Sequence, residues 1–184
     1  MNQDYGRPQQ AGGMPAWGWL IIIPCGCLAL LAMGVVIFGA AMFPVFSKAR
    51  RSARQASCMS NVKQQSLGLI MYVQDYDQRY PPASEWVDLS MPYIKNESVF
   101  KCPEVSQPQS DSYGYAFNTA LSKLELKKLA TPATVSMNYD STNLSRNASD
   151  ALSSMPQPPR HPRGNVVGYA DGHAKVAGGA TASE

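Results

Sequence analysis

Imidazole and thiol chemistry in this chain is confined to two histidines, His161 and His173, and four cysteines, Cys25, Cys27, Cys58 and Cys102. His161 and Asp171 invite an acid–base reading, with the imidazole as base. Extended, the ten steps between them span on the order of 30 Å, so they meet only if Pro162 and Gly164 fold the chain back. Asp171-Gly172 reads instead as turn chemistry, and His161 as a loop residue hydrogen-bonded to the core. There is no GxSxG, HExxH or P-loop run, and the close pair Cys25-Gly-Cys27 sits in an apolar segment. Asp75-x-Asp77 begins like a calcium loop but lacks the third ligand and the glycine. The expectation is a chain with no catalytic residue, no cofactor-binding residue and no metal site, hence not an enzyme.

Cys58 and Cys102 are the pair available for one disulfide in an oxidising compartment. The alternative is two unpaired thiols, since spacing does not set the Cα separation a bridge needs. Cys25 and Cys27 read as small buried hydrophobes.

The elements that position these groups begin with residues 14–47, which carry no charged side chain. A bilayer core needs roughly 20 apolar residues of helix. After a disordered tail at 1–16, residues 17–43 are expected to form one transmembrane helix, with Trp17-Gly-Trp19 at an interface. Two rival readings are a buried core helix and a cleaved signal peptide. The first needs more covering protein than a chain this size has. The second is disfavoured by a nearly neutral start (Asp4, Arg7), an overlong apolar run and no turn after it. Residues 44–78 continue as an amphipathic stem whose dry stripe is Val45, Phe46, Ala49, Ala53, Ala56, Met59, Val62, Leu69, Ile70, Val73 and Tyr76. Pro24 and Pro44 are expected to kink a helix on the order of 90 Å long.

Net charge is +3, yet ten of 16 Lys/Arg and twelve of 13 acids lie beyond residue 64. The basic excess is the juxtamembrane patch Lys48, Arg50, Arg51, Arg54 and Lys63, which suits lipid phosphate rather than nucleic acid. The positive-inside rule, applied to this patch, puts the following domain in the cytoplasm. A disulfide between Cys58 and Cys102 argues for export.

Residues 79–178 read as an α+β head, with residues 179–184 a disordered tail. Ser84 is the expected N-cap of a short helix from Glu85 to about Tyr93 that turns Trp86 and Leu89 inward. SYGYAFN and ATVSMNYDS read as strands, and residues 141–163 as a long surface loop. In NVVGYADGHAKVA, Asp171-Gly172 reads as a two-residue type I′ turn. That register pairs Ala170 with His173, Tyr169 with Ala174 and Val167 with Val176, the last two pairs facing the core, while His173 and Lys175 face water.

His161, nine intervening residues and Asp171-Gly172 resemble the signature of the prepilin-associated H-X9-DG proteins, bacterial relatives of type IV pilins and type II secretion pseudopilins. The likeness extends through FPVFSKARRSARQASCMSNVKQ, LIMYVQDYDQRYPP, YIKNESVFKCPE and SYGYAFN. It implies a lollipop: a long N-terminal helix, half in the membrane, whose outer half packs on a small antiparallel sheet outside the cytoplasm. The likeness to pseudopilin heads, which can bind calcium in C-terminal loops, also implies Asp140 or Asp150 as calcium ligands, with no full ligand set visible. One departure is plain, because AWGWLIIIPCGCLALL has neither the processing glycine-phenylalanine nor the glutamate that registers subunits in a fibre. Prepilin processing and glutamate-guided polymerisation therefore do not carry over. The expected function is a non-catalytic, single-pass, membrane-anchored subunit with an exported head and a structural or assembly role. Its expected partners are membrane lipid and other pilin-like subunits met through the helix, with no nucleic acid and no small-molecule substrate. The alternative is a tethered binding module that displays residues 141–163 and does not polymerise.

Overall fold

The computed structural model describes the backbone of residues 16–105 and 112–178, and the side chains of Leu28, 31–105 and 112–178. Both expected tails and the side chains of Cys25 and Cys27 lie outside the described residues. Helix α1, Ala16–Asp75, is continuous through Pro24 and Pro44. The chain divides after Ser47 into two compact units.

In the first unit, every described side chain from residue 31 to residue 46 except Met42 is exposed, and the large apolar ones show 56% to 77% of their surface. A helix buried in a protein core would show almost none. The helix to which it belongs is long and apolar enough to cross a membrane, so the described residues hold one N-terminal helix suited to be a membrane span or signal anchor.

The second unit is α+β. Its sheet has five strands in the order β3-β1-β2-β4-β5: β1 Tyr115–Asn118, β2 Ser136–Asp140, β3 Ser149–Asp150, β4 Asn165–Tyr169 and β5 Ala174–Ala177. It is mixed rather than antiparallel, because β3, two residues inside the 141–163 segment, runs parallel to β1. Short 3-10 turns and helix α2, Trp86–Ile94, complete it.

The face that α1 buries differs from the hydrophobic stripe expected of it. Gln55, Cys58, Val62, Gln65, Ser66, Leu69, Tyr72 and Val73 are buried, whereas Ala49, Ala53, Ala56 and Tyr76 are exposed. Gln65 and Ser66 enter the seam because polar groups of the head answer them, whereas the Gln55 amide has no partner among the described residues. Asn138 of β2 donates to the Val62 carbonyl (3.2 Å) and to Gln65 Oε1 (2.9 Å), and accepts from Ser66 Oγ (2.8 Å). Gln65 Nε2 donates in turn to the Val99 carbonyl at 2.7 Å. A buried network satisfied at every member fixes how the helix sits along the strands. Around it pack Trp86, Phe100, Phe117, Leu69 and Leu121, with Trp86 edge-on to Phe100.

Helix α2 also corrects its expected cap. Its first residue follows Glu85, which makes no side-chain cap. The free N–H of Val87 is met by Asn147 Oδ1 at 2.8 Å, 60 residues away. Trp86, Val87 and Ser90 are the buried residues of α2, with Leu89 only half-buried. Trp86 Nε1 donates to the Ala148 carbonyl at 3.0 Å. Residues 141–163 are thus more than a surface loop. Ala148, with Leu152 and Met155 against it, covers Ala116, Tyr139 and Val167 on the sheet face away from α1.

Gly168 lies opposite Asn138, and a Cβ there would sit 2.3 Å from Asn138 Oδ1 and 2.4 Å from Ser66 Oγ. Gly168→Ala should therefore push helix and sheet apart and destabilise the head by roughly 1–3 kcal/mol, read as a lowered denaturation midpoint by near-UV circular dichroism of the detergent-solubilised chain.

Candidate functional site

The residues singled out by sequence gather at the two ends of β4. At its start, a tight turn in which Gly164 N–H donates to the His161 carbonyl (3.1 Å) leads into Asn165. Gly164 has φ +132, and a Cβ there would overlap the Ala177 carbonyl. This turn swings the His161 side chain into the core, where the residue is 3% exposed. Its Nε2 lies 3.3 Å from Asp140 Oδ2 and 3.8 Å from Cys102 Sγ.

Asp140 is fully buried. It accepts from Val166 N–H at 2.6 Å, and Arg160 Nη1 stands 3.6 Å from its other oxygen. Arg160 also donates to the Gly114 carbonyl (2.8 Å) and the Ser141 carbonyl. A buried carboxylate is tolerable only when donors and a counter-charge surround it, and here they arrive from β4 and the segment just before it. Beside them Cys58 and Cys102 are joined in a disulfide, Cα to Cα 5.6 Å, closing a 44-residue separation. Burial and the nearby Asp140 charge drive the Tyr115 hydroxyl far above its usual range.

At the far end of β4 the hairpin differs from the expected register by one residue. Val166 pairs with Val176, Val167 with Lys175 and Gly168 with Ala174. The loop has three residues, Ala170, Asp171 and Gly172: Gly172 N–H donates to the Tyr169 carbonyl (2.9 Å) and Tyr169 N–H to the His173 carbonyl (2.9 Å). Gly172 alone has positive φ, +91, whereas a type I′ turn requires it at both central residues. The extra residue moves Val166 and Gly168 to the α1 face and Val167 and Tyr169 to the other, because side chains alternate with a period of two. His173 and Lys175 are exposed, and His173 stacks on Tyr169 with centroids 4.3 Å apart. Asp171 Oδ1 accepts from His173 N–H at 3.1 Å, and a Cβ on Gly172 would strike Ile70 of α1 at 2.8 Å. His161 and Asp171 therefore hold opposite ends of one strand and share no contact among the described residues.

The basic patch is divided. Lys48, Arg50, Arg51 and Lys63 are exposed, while Arg54 is paired with Glu104 at 3.1 Å. Lys63 is about 22 Å farther along α1 than Lys48. The carboxylates considered for calcium face protein donors: Asp150 accepts from Tyr139 Oη at 2.7 Å, and Asp75 from Tyr93 Oη at 2.7 Å.

Residues 47–151 match a family described only as a protein of unknown function, DUF1559. That span is more than half of the chain. The chain belongs to the DUF1559 family. No curated protein and no solved structure matches it. The part shared with DUF1559 holds the head segment of α1, the disulfide, α2 and β1 to β3, and ends before His161 and Asp171-Gly172. Membership fits the prepilin-associated likeness at the level of a broad family and assigns no particular pilin type. Sequence reasoning missed Asp140, Arg160 and Asn138 as structural centres. The available signal was a charged or amide residue inside a strand pattern, where burial demands a partner.

Loss of the 44-residue bridge should release loop entropy worth ~4 kcal/mol. Cys58→Ser should accordingly lower the unfolding free energy by about 2–4 kcal/mol in denaturant titration.

Acid sensitivity follows from three carboxylates held below their usual value of 3.8. Asp88 is lowered chiefly by the Asn147 amide, with Arg146 adding to it. Burial pushes Asp150 and Asp171 upward but is outweighed, by Ser154 and Tyr139 for Asp150 and by the His173 N–H and imidazole for Asp171. A depressed folded pKa contributes stability that is present above the unfolded value and lost as pH falls through the folded one. The denaturation midpoint should thus drop as pH is taken below about 4, with a shallower drop in Asp171→Asn, measured by denaturant titration across that range.

Proposed function

We infer that this chain is a non-catalytic, membrane-anchored pilin-like subunit with a structural or assembly role, its head outside the cytoplasm. The observation that carries this reading is the exposed apolar helix at residues 31–46, joined in sequence to a head closed by a disulfide. DUF1559 membership and the prepilin-associated motifs support it. A bridge of this kind persists in oxidising compartments, which favours export over the orientation that Lys48, Arg50 and Arg51 would select. These three cations are spaced to meet lipid phosphate at the foot of the head. A structural role for His161 and Asp171 is supported by the contact of His161 with Asp140 and by the His173 N–H that Asp171 accepts in the hairpin. Contact with other pilin-like subunits would run through α1, where Leu67 and Met71 are about half exposed.

A second reading has its own support. The apolar segment contains no acidic residue, which favours a tethered display module that does not polymerise, presenting residues 141–163.

The deciding measurement is the intact mass of the protein extracted from its membrane, with and without reductant, after treatment with a thiol-alkylating tag. The expected outcome is a full-length mass with Cys58 and Cys102 blocked until reduction. Head thiols that alkylate freely without reductant would overturn export, and a mass lacking the N-terminal segment would replace the retained anchor with a processed subunit. Co-purification of other pilin-like chains would favour assembly over display.

A further inference from the structure

We propose that Cys58, Cys102 and His161 form a binding site for a thiophilic divalent cation such as zinc when the disulfide is reduced. The same sulfurs would hold the fold by a covalent bond in one redox state and by a metal in the other.

The two sulfurs and an imidazole nitrogen lie within 4.8 Å of one another, all on buried residues. Zinc bound at ~2.3 Å to sulfur and ~2.0 Å to nitrogen has tetrahedral corners roughly 3.5 Å apart. His161 Nε2 and Cys102 Sγ, at 3.8 Å, already stand near that edge length. Asp140 brings a carboxylate oxygen to 3.3 Å from the same nitrogen. Its other oxygen, Oδ1, is buried without a hydrogen-bond partner among the described residues, as is His161 Nδ1. The Arg160 guanidinium, 3.6 Å away, is the counter-charge of that oxygen. His161 Nδ1 has no hydrogen-bond partner among the described residues, so moving the ring proton there breaks no bond, and Nε2, released from its contact with Asp140, can then offer a lone pair to the cation. Two thiolates and a neutral imidazole leave a bound dication with no net charge, which suits a buried site.

The redox step is ordinary exchange. A dithiol reductant gives two electrons to the Cys58–Cys102 bond and becomes a disulfide itself, while its two protons pass to the released sulfurs. The cation then displaces those protons and takes both thiolates. In the oxidised chain neither sulfur has a thiolate to offer, so bridge and metal exclude each other. The site thus goes beyond the proposed assembly role and does not rest on it.

The test uses the full chain in detergent with Cys25→Ser and Cys27→Ser, so that the described pair supplies the only thiols. Reduced without air and titrated with cobalt(II), it should take up one equivalent. A thiolate-to-cobalt charge-transfer band and tetrahedral d–d bands should appear, and zinc should abolish them. Zinc should also shield Cys58 and Cys102 from alkylation. His161→Ala should lose affinity by on the order of 100-fold, and the oxidised chain should show no band. A reduced chain with a native near-UV spectrum and no thiolate–cobalt band would overturn the proposal, as would unchanged affinity in His161→Ala. Should that variant unfold, the parent chain still decides: equal alkylation rates with and without zinc would reject the site.

Discussion

A carboxylate with no access to water, Asp140 at the end of β2, governs how the head closes. Its charge must be met from within the protein. The donors that meet it come from beyond the long connection after β2: the Val166 N–H, His161 and Arg160. Without them β2 would end on an unpaired buried charge. With them, residues 141–163 are drawn back across the sheet, and Arg160 is left positioned to bond the carbonyls of Gly114 and Ser141. The return of the chain to begin β4 beside β2 is therefore tied to one acid.

A second constraint operates where α1 meets the sheet. Gln65, Ser66 and Asn138 replace part of an expected greasy seam with directional bonds. Apolar contacts alone tolerate sliding of a helix along strands, whereas a satisfied amide network does not. Gly168 lets the two layers approach closely enough for those bonds to form. The mixed character of the sheet follows from the other face, where the short β3 lies parallel to β1 as part of the segment that covers Tyr139 and Val167.

Much of this architecture was legible in sequence, for reasons that also explain what was not. The uncharged run at residues 14–47 was legible as a segment suited to be a membrane span or signal anchor, and β1, β2 and the DG hairpin were visible as short β-branched and aromatic runs bounded by turn residues. The hairpin register slipped by one because Asp-Gly fits both a two-residue I′ turn and a three-residue turn ending in a left-handed glycine, and the local sequence pattern does not distinguish them. The α1 stripe was misread because a hydrophobic pattern cannot see Gln55, Gln65 or Ser66 as buried. The α2 cap was misplaced because its donor partner, Asn147, is remote in sequence. At the candidate site, Cys58, Cys102 and His161 were named from residue type alone. Their meeting depended on a fold-back at Gly164 that no local pattern announces.

The disulfide has a mechanical consequence for a domain that hangs from the end of a helix. Tension applied between the start of the head segment of α1 and the last strand would travel from Cys58 directly to Cys102, bypassing the residues between them. About 150 Å of contour length, including the rest of α1 and all of α2, is thereby kept out of the load path. Under such a pull the hairpin and sheet edge could peel while the helical half of the core stayed folded, ready to template their return.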